Sequence, residues 1–134
     1  MRKTASLLIL LVLVMLMLCS CARSLADHVD TGSSSLFTDE ERAAAASVTE
    51  NAFTQGEFSK YCTLTSITYA GDERCEAESA SSGSECIVFN CDFTTKAFEE
   101  GSDTAFIPNQ SYSDYSFILT RDIFGWHIMS YGYA

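Results

Sequence analysis

The stretch Glu85–Thr95, which reads ECIVFNCDFTT, decides the fold of this chain. Its alternate apolar side chains share one face: Ile87, Phe89, Cys91 and Phe93. The opposite face carries Val88, Asn90 and Asp92. Alternation with a period of two residues is typical of a β-strand that buries one face in a core. The segment therefore predicts a long, half-buried strand.

Three further segments read as strands. Tyr61–Tyr69 alternates, and one side of it comprises Tyr61, Thr63, Thr65, Ile67 and Tyr69. Tyr112–Arg121 and Trp126–Tyr133 are the last two strands. Asp122–Gly125 lies between them and is typical of a hairpin turn, so we expect these two strands to be antiparallel neighbours.

A helix is predicted before the first of these strands. Thr38 and Glu41 have the spacing of a capping box, and an alanine-rich apolar stripe continues until Gly56 can end the helix. The predicted bounds are Asp39–Gln55, and Asp72–Ser79 is expected to form one short extra helix. This order indicates an α+β domain in which an N-terminal helix packs on an antiparallel sheet of about four strands.

The N-terminus has the layout of a secretory signal. Arg2 and Lys3 precede twelve consecutive apolar residues, Leu7–Leu18. A membrane span needs about 20 apolar residues, so a retained transmembrane helix is disfavoured. Leu18 lies three places before Cys21, which resembles the cleavage and lipidation pattern of bacterial lipoproteins. Ordinary secretion after cleavage nearby is the alternative.

Lipidation would divide the chain into three parts. Residues 1–20 are then a cleaved signal peptide, residues 21–35 a lipidated Cys21 with a flexible tether, and residues 36–134 a single folded domain. The expected location is the outer face of the cell membrane, held by diacylglyceryl-Cys21. Loss of Arg2 and Lys3 changes the formal net charge from −10 to −12. Such acidity disfavours nucleic acid as a partner, because binding to phosphates depends on Lys and Arg.

Four cysteines remain after removal of the signal and the lipidation site: Cys62, Cys75, Cys86 and Cys91. An even number in an exported domain favours disulfides. Cys86 and Cys91 lie in one predicted strand, about 16 Å apart at about 3.3 Å per residue, beyond the bridging limit of about 7 Å. Two pairings stay open, of which we prefer Cys62 with Cys91 and Cys75 with Cys86. Free thiols are the alternative, and the spacing does not favour a metal site.

Several segments together resemble a known family. They are Phe58–Thr65, Pro108–Asp122, Gly125-Trp126 and Tyr131-Gly132-Tyr133. The family comprises small secreted lipoproteins of Gram-positive bacteria, of unknown function. This resemblance implies a domain like nuclear transport factor 2, in which a helix backs a strongly curved, cone-shaped sheet. It supplies no catalytic residues.

A curved sheet would offer a concave face for a small ligand or an envelope protein. Asp92 and His127 are the only pair we nominate for acid and base roles, with Tyr69, Tyr115 and Trp126 as further candidate pocket residues. Asp114 and Tyr131 are also candidates by strand parity. An acidic cluster, Glu99, Glu100 and Asp103, reads as solvated surface, although it could attract a cation.

Two functions follow from the sequence. The first is a membrane-anchored extracytoplasmic module that binds a small ligand or a protein. The second is a small enzyme, of isomerase or hydrolase type, that uses Asp92 and His127. No cofactor motif is present in the sequence. The sequence favours the binding module, because aromatic and polar residues on strands are more often structural than catalytic.

Overall fold

The structure is a computed structural model that describes residues 28–99 and 101–133. In these residues five strands form one sheet: β1 (Val29–Asp30), β2 (Cys62–Tyr69), β3 (Cys86–Thr95), β4 (Ser111–Asp122) and β5 (Gly125–Gly132). Two helices accompany them: α1 (Asp39–Thr54) and α2 (Asp72–Ser82). The α+β class is confirmed. The predicted signal peptide and Cys21 lie outside the described residues.

The sheet differs from the prediction in strand count and direction. Its strands lie in chain order, and β1 pairs in parallel with β2, so the sheet is mixed and not wholly antiparallel. Because β1 precedes α1, the helix is not the N-terminal element. Residues 28–35, which the sequence assigns to a tether, belong to the folded domain: Val29 pairs with Ile67, and Ser34 and Ser35 contact Asp72.

A β-bulge in β2 breaks the predicted alternation, so the five residues predicted to share one side of that strand do not all share it. Leu64 pairs with Phe93 and Ser66 pairs with Asp92, so Thr65 is an extra residue without a cross-strand partner. The bulge reverses the alternation before it. Cys62 is therefore buried on the same side as Ile67, and Thr63 and Thr65 are exposed.

α1 covers one face of the sheet. Its predicted capping box is present at the N-terminus, and its apolar stripe packs against the sheet. The Thr38 side chain accepts from the Glu41 N–H, and the Glu41 carboxylate accepts from the Thr38 N–H. The Phe53 ring lies 5.2 Å from the Phe93 ring and 5.3 Å from the Phe117 ring, between centroids. The largest fully buried side chains are Phe89, Phe93, Phe117, Ile67, Ile87, Leu119 and Val88. Most of them belong to this helix-covered face.

α2 covers an edge of β3. Since β2 ends at Tyr69, opposite Phe89, the first residues of β3 extend beyond it. The Cys86 N–H donates to Ser79 Oγ at 2.9 Å, and the Val88 N–H donates to Cys75 Sγ at 3.3 Å. Cys75 and Ser79 are one helical turn apart, so one side of α2 satisfies backbone groups that an exposed edge would leave unpaired.

The four cysteines are buried free thiols in the structure. Cys62 pairs with Thr95, whereas Cys91 pairs with Ile67, five residues further along β2. This places Cys62 and Cys91 about 16 Å apart along the strand, so the register does not support the preferred bridge between them. Cys75 and Cys86 lie on neighbouring elements, and a bridge between them stays a prediction.

Candidate functional site

The nominated acid–base pair is not brought together. The Asp92 carboxylate accepts a hydrogen bond of 2.9 Å from the backbone N–H of Asp114. Asp114 has a positive φ of 53° beside a bulge in β4, so Asp92 stabilises a strained backbone position. His127 pairs with Thr120, six residues beyond Asp114 and about 20 Å further along β4. The two side chains cannot act on one substrate atom.

His127 instead lies beside the β4–β5 turn. Its imidazole is half exposed, and Nδ1 is 3.7 Å from the Asp122 carboxylate. A solvent-exposed contact of this length contributes little to stability. The acid that its imidazole contacts is therefore Asp122, not Asp92.

The three candidate aromatic residues lie in different places. Tyr69 is buried, and its hydroxyl donates to Asp72. Tyr115 is half-buried beside Phe93, with the ring centroids 5.4 Å apart. The Arg121 guanidinium lies over Trp126, with its central carbon 4.8 Å from the centroid of the Trp126 ring. Large apolar side chains pack together on the helix-covered face.

A cavity of about 380 Å³ opens instead where two connections meet the end of a strand. We call it the end cavity. It lies between the segment that joins α1 to β2, the segment that joins β3 to β4, and the end of β5. Its lining residues are Glu57, Phe58, Tyr61, Ser102, Asp103, Thr104, Ala105 and Tyr131.

The first wall of the end cavity follows directly from the end of α1. A Cβ on Gly56 would lie 2.8 Å from the Ala52 Cα, so only glycine allows the chain to turn this close to the helix. The Phe58 N–H then donates to the Ala52 carbonyl at 3.1 Å, and the Tyr61 N–H donates to the Phe58 carbonyl at 3.1 Å. This turn buries Phe58 and leaves the Glu57 carboxylate at the mouth.

The second wall is a loop held by short local hydrogen bonds. Ser102 Oγ donates to the Glu99 carbonyl at 2.6 Å, and the Thr104 N–H donates to the Ser102 carbonyl at 2.7 Å. Phe106 anchors the loop, with its ring 5.8 Å from that of Phe58. Asp103 is therefore an exposed carboxylate on a loop that is fixed at both ends.

Aromatic rings form the floor. Tyr131 is 44% exposed, and its ring meets Phe58 edge-on at 5.0 Å and stacks on Phe117 at 5.6 Å. Tyr61 is half-buried and packs against Phe98 at 5.1 Å. The Lys60 ammonium lies 5.2 Å from the Tyr61 ring centroid, so a cation already contacts one aromatic ring beside the cavity.

The charged residues that line the end cavity are both acidic. Glu57 and Asp103 supply negative charge, and no Lys, Arg or His is among the lining residues. Within residues 28–99 and 101–133 there is no group of three or more His, Cys, Asp or Glu side chains that could hold a metal ion. Aromatic faces and two separated carboxylates suit an organic cation better.

Of the eight lining residues, the sequence indicates a functional role for only two. Tyr131 was a candidate aromatic residue, and Asp103 belonged to the acidic cluster. Glu57, Phe58 and Tyr61 were not singled out. In the sequence they are marked only by local spacing. Phe58 and Tyr61 are three positions apart, and they follow Gly56, which ends the helix, and Glu57.

Comparisons with known protein families, with curated proteins and with solved structures found no match to this chain. The fold and the end cavity therefore define it as an α+β domain with an aromatic, acidic cavity. None of the helices in the part of the chain that the structure describes is long and apolar enough to cross a bilayer.

Proposed function

We propose that the chain is an exported, lipid-anchored module that binds a small organic cation in the end cavity. The observation that carries the proposal is the exposed ring of Tyr131 beside the Glu57 and Asp103 carboxylates. An ammonium group placed over an aromatic face gains about 0.5–2 kcal/mol, more when it is desolvated. Carboxylates at the rim add attraction at longer range.

The proposed domain is of the nuclear transport factor 2 type. Its support is a helix over one face of a sheet whose register shifts in β2, β4 and β5, because bulges bend strands and increase their twist. In this proposal phenylalanine and aliphatic side chains fill the interior of the cone, and the ligand binds in the end cavity, at the open end of the cone.

The lipid anchor at Cys21 would hold this cavity close to a membrane surface. Only six residues, 22–27, separate Cys21 from the first described residue, His28. Seven steps of extended chain reach at most about 25 Å. Ligands of this module would then be captured at the outer face of the membrane.

Ligand binding is tested by titration calorimetry with benzyltrimethylammonium, against benzenesulfonate as an anion of similar size. We expect the cation to bind and the anion not to bind. Glu57→Gln combined with Asp103→Asn should weaken cation binding about tenfold, as should Tyr131→Ala. Glu40→Gln, an exposed acid at the start of α1, is the matched control. Equal affinity for the two ions would contradict the proposal.

Anchoring is tested separately by fractionation of cells. Cys21→Ala should release the protein from membranes, whereas Cys19→Ala should leave it attached. The second variant makes the same chemical change two residues away, within the predicted signal peptide. Membrane association of the Cys21→Ala protein would contradict lipidation at this residue without affecting the ligand proposal.

The enzyme alternative has no supporting geometry, since Asp92 and His127 lie far apart.

A further inference from the structure

Exposed apolar side chains concentrate at the C-terminal end of the described chain. Seven large hydrophobic residues are exposed in the described part, and five of them follow Asp122: Ile123, Phe124, Met129, Tyr131 and Tyr133. Ile123 is 93% exposed and Phe124 is 91% exposed. These residues belong to the β4–β5 turn, to β5 and to the residue after it. The C-terminal hairpin is therefore the main apolar surface of the described domain.

β5 is also an edge strand, and its protection is limited to the bulge at Met129, between Ile128 and Ser130. It pairs with β4 on one side, and no other strand of the described residues pairs with its outer edge. It is eight residues long and contains neither Lys nor Pro, the residues that most often block edge pairing. The opposite edge is β1, which has only two residues.

A groove of about 370 Å³ runs between β5 and α1. We call it the neutral groove. Its lining residues are Val48, Asn51, Ala52, Gln55, Gly56, Trp126, His127 and Ile128. None of them is acidic, although the chain has 18 Asp and Glu residues. No acidic residue follows Asp122 in the sequence.

We propose that β5 pairs antiparallel with β5 of a second copy of this chain. Antiparallel pairing of one strand with itself about a twofold axis makes a closed, self-complementary dimer. With the axis perpendicular to the sheet, the two α1 helices lie on the same side, and apolar β5 side chains of each copy face the neutral groove of the other. The main-chain N–H and C=O groups on the outer edge of β5 then form hydrogen bonds with β5 of the second copy.

The distribution of charge favours a second copy over a basic partner. A basic protein would gain most by contacting the acidic surfaces of the domain and would gain little at an uncharged groove. Two copies that each carry a formal charge of −10 repel one another, so they can associate only where acids are absent. The neutral groove and β5 form such a surface, apart from the Asp122 carboxylate, which lies 3.7 Å from His127 Nδ1 at the start of the hairpin. This inference does not depend on the proposed ligand function.

The test is sedimentation equilibrium of the full chain in a density-matched detergent. We expect a monomer–dimer equilibrium at micromolar concentration. Asn51→Asp combined with Gln55→Glu adds charge to exposed positions in and directly after the last turn of α1 with little change in shape, and should raise the dimer dissociation constant at least tenfold. Gln110→Glu, which makes the same change in the β3–β4 connection, is the matched control. A thermal melt verifies that each variant is folded.

A charge exchange makes the test specific to this interface. Asn51→Lys combined with Gln55→Lys should also weaken self-association, and an equimolar mixture with the acidic variant should restore dimers. A monomeric wild-type chain overturns the proposal, as does an equal loss of dimer in the Gln110→Glu control. A wild-type chain that stays monomeric and binds another protein along β5 also overturns it.

Discussion

Arg42 donates a hydrogen bond of 2.8 Å from Nε to the carbonyl oxygen of Thr31. The same guanidinium donates to the carbonyls of Gly32 and Phe37, and its side chain is buried. A single helix residue thus satisfies three carbonyl groups of the segment before α1. This contact explains why residues 28–35 pack on the domain although their composition resembles a linker.

Arg42→Ala should lower the free energy of unfolding by about 3 kcal/mol, because it leaves several partly buried carbonyls without donors. Urea denaturation measures the change. Arg74→Ala is the control: Arg74 is a half-exposed arginine that pairs with Glu78 one turn away, and its loss should cost less than about 1 kcal/mol. Equal effects of the two substitutions would show that the segment before α1 adds no stability.

Asp72 should make stability dependent on acidic pH. Its carboxylate accepts hydrogen bonds from the Ser34 hydroxyl, the Ser35 backbone N–H and the Tyr69 hydroxyl, and these hold its pKa well below the usual range. Since the pKa is lower in the folded state, the stabilisation is present above about pH 4 and is lost as the pH falls below it.

Asp72→Asn should therefore lower the Tm at pH 6, and the difference from wild type should shrink towards pH 2.5. Thermal melts across this range measure it. Glu73→Gln, at the adjacent exposed position outside this network, is the control and should show no such convergence. A constant difference between wild type and Asp72→Asn would indicate that the ionised carboxylate is not the stabilising form.

The thiols of Cys62 and Cys91 should resist alkylation in the native protein. Burial raises the pKa of Cys62 to about 11 and also raises the pKa of Cys91, so little thiolate exists at pH 8. Peptide mapping by mass spectrometry after iodoacetamide treatment should find both unmodified until a denaturant is added. A peptide that links Cys62 to Cys91 would contradict the strand register.

A bridge between Cys75 and Cys86 would appear as a mass two hydrogens lower before reduction.

The exposed turn residues Ile123 and Phe124 should contribute little to folding. The substitutions Ile123→Ser and Phe124→Ser should each change the free energy of unfolding by less than about 0.5 kcal/mol, because neither side chain is buried. Phe117→Ala, in the core, should cost about 3–5 kcal/mol. Urea denaturation compares them. A large loss in the serine variant would show that the turn packs against another part of the chain.

Strand positions were predictable because their information is local. The alternation in Glu85–Thr95 predicts β3 almost to its ends, and the spacing of Thr38 and Glu41 predicts the start of α1. The inner face of β2 was not predictable in the same way. Thr65 looks like any alternating residue, and only its lack of a partner opposite β3 identifies the bulge.

The sequence by itself determined the class of the domain, the order of its main elements and its acidity, since period, capping and composition are properties of short segments. Only the tertiary structure decided that β1 joins the sheet, that Asp92 and His127 are apart, and that Glu57, Asp103 and Tyr131 meet at one cavity. These outcomes depend on register and on loop closure between distant segments, where one bulge reverses the face on which every preceding side chain lies.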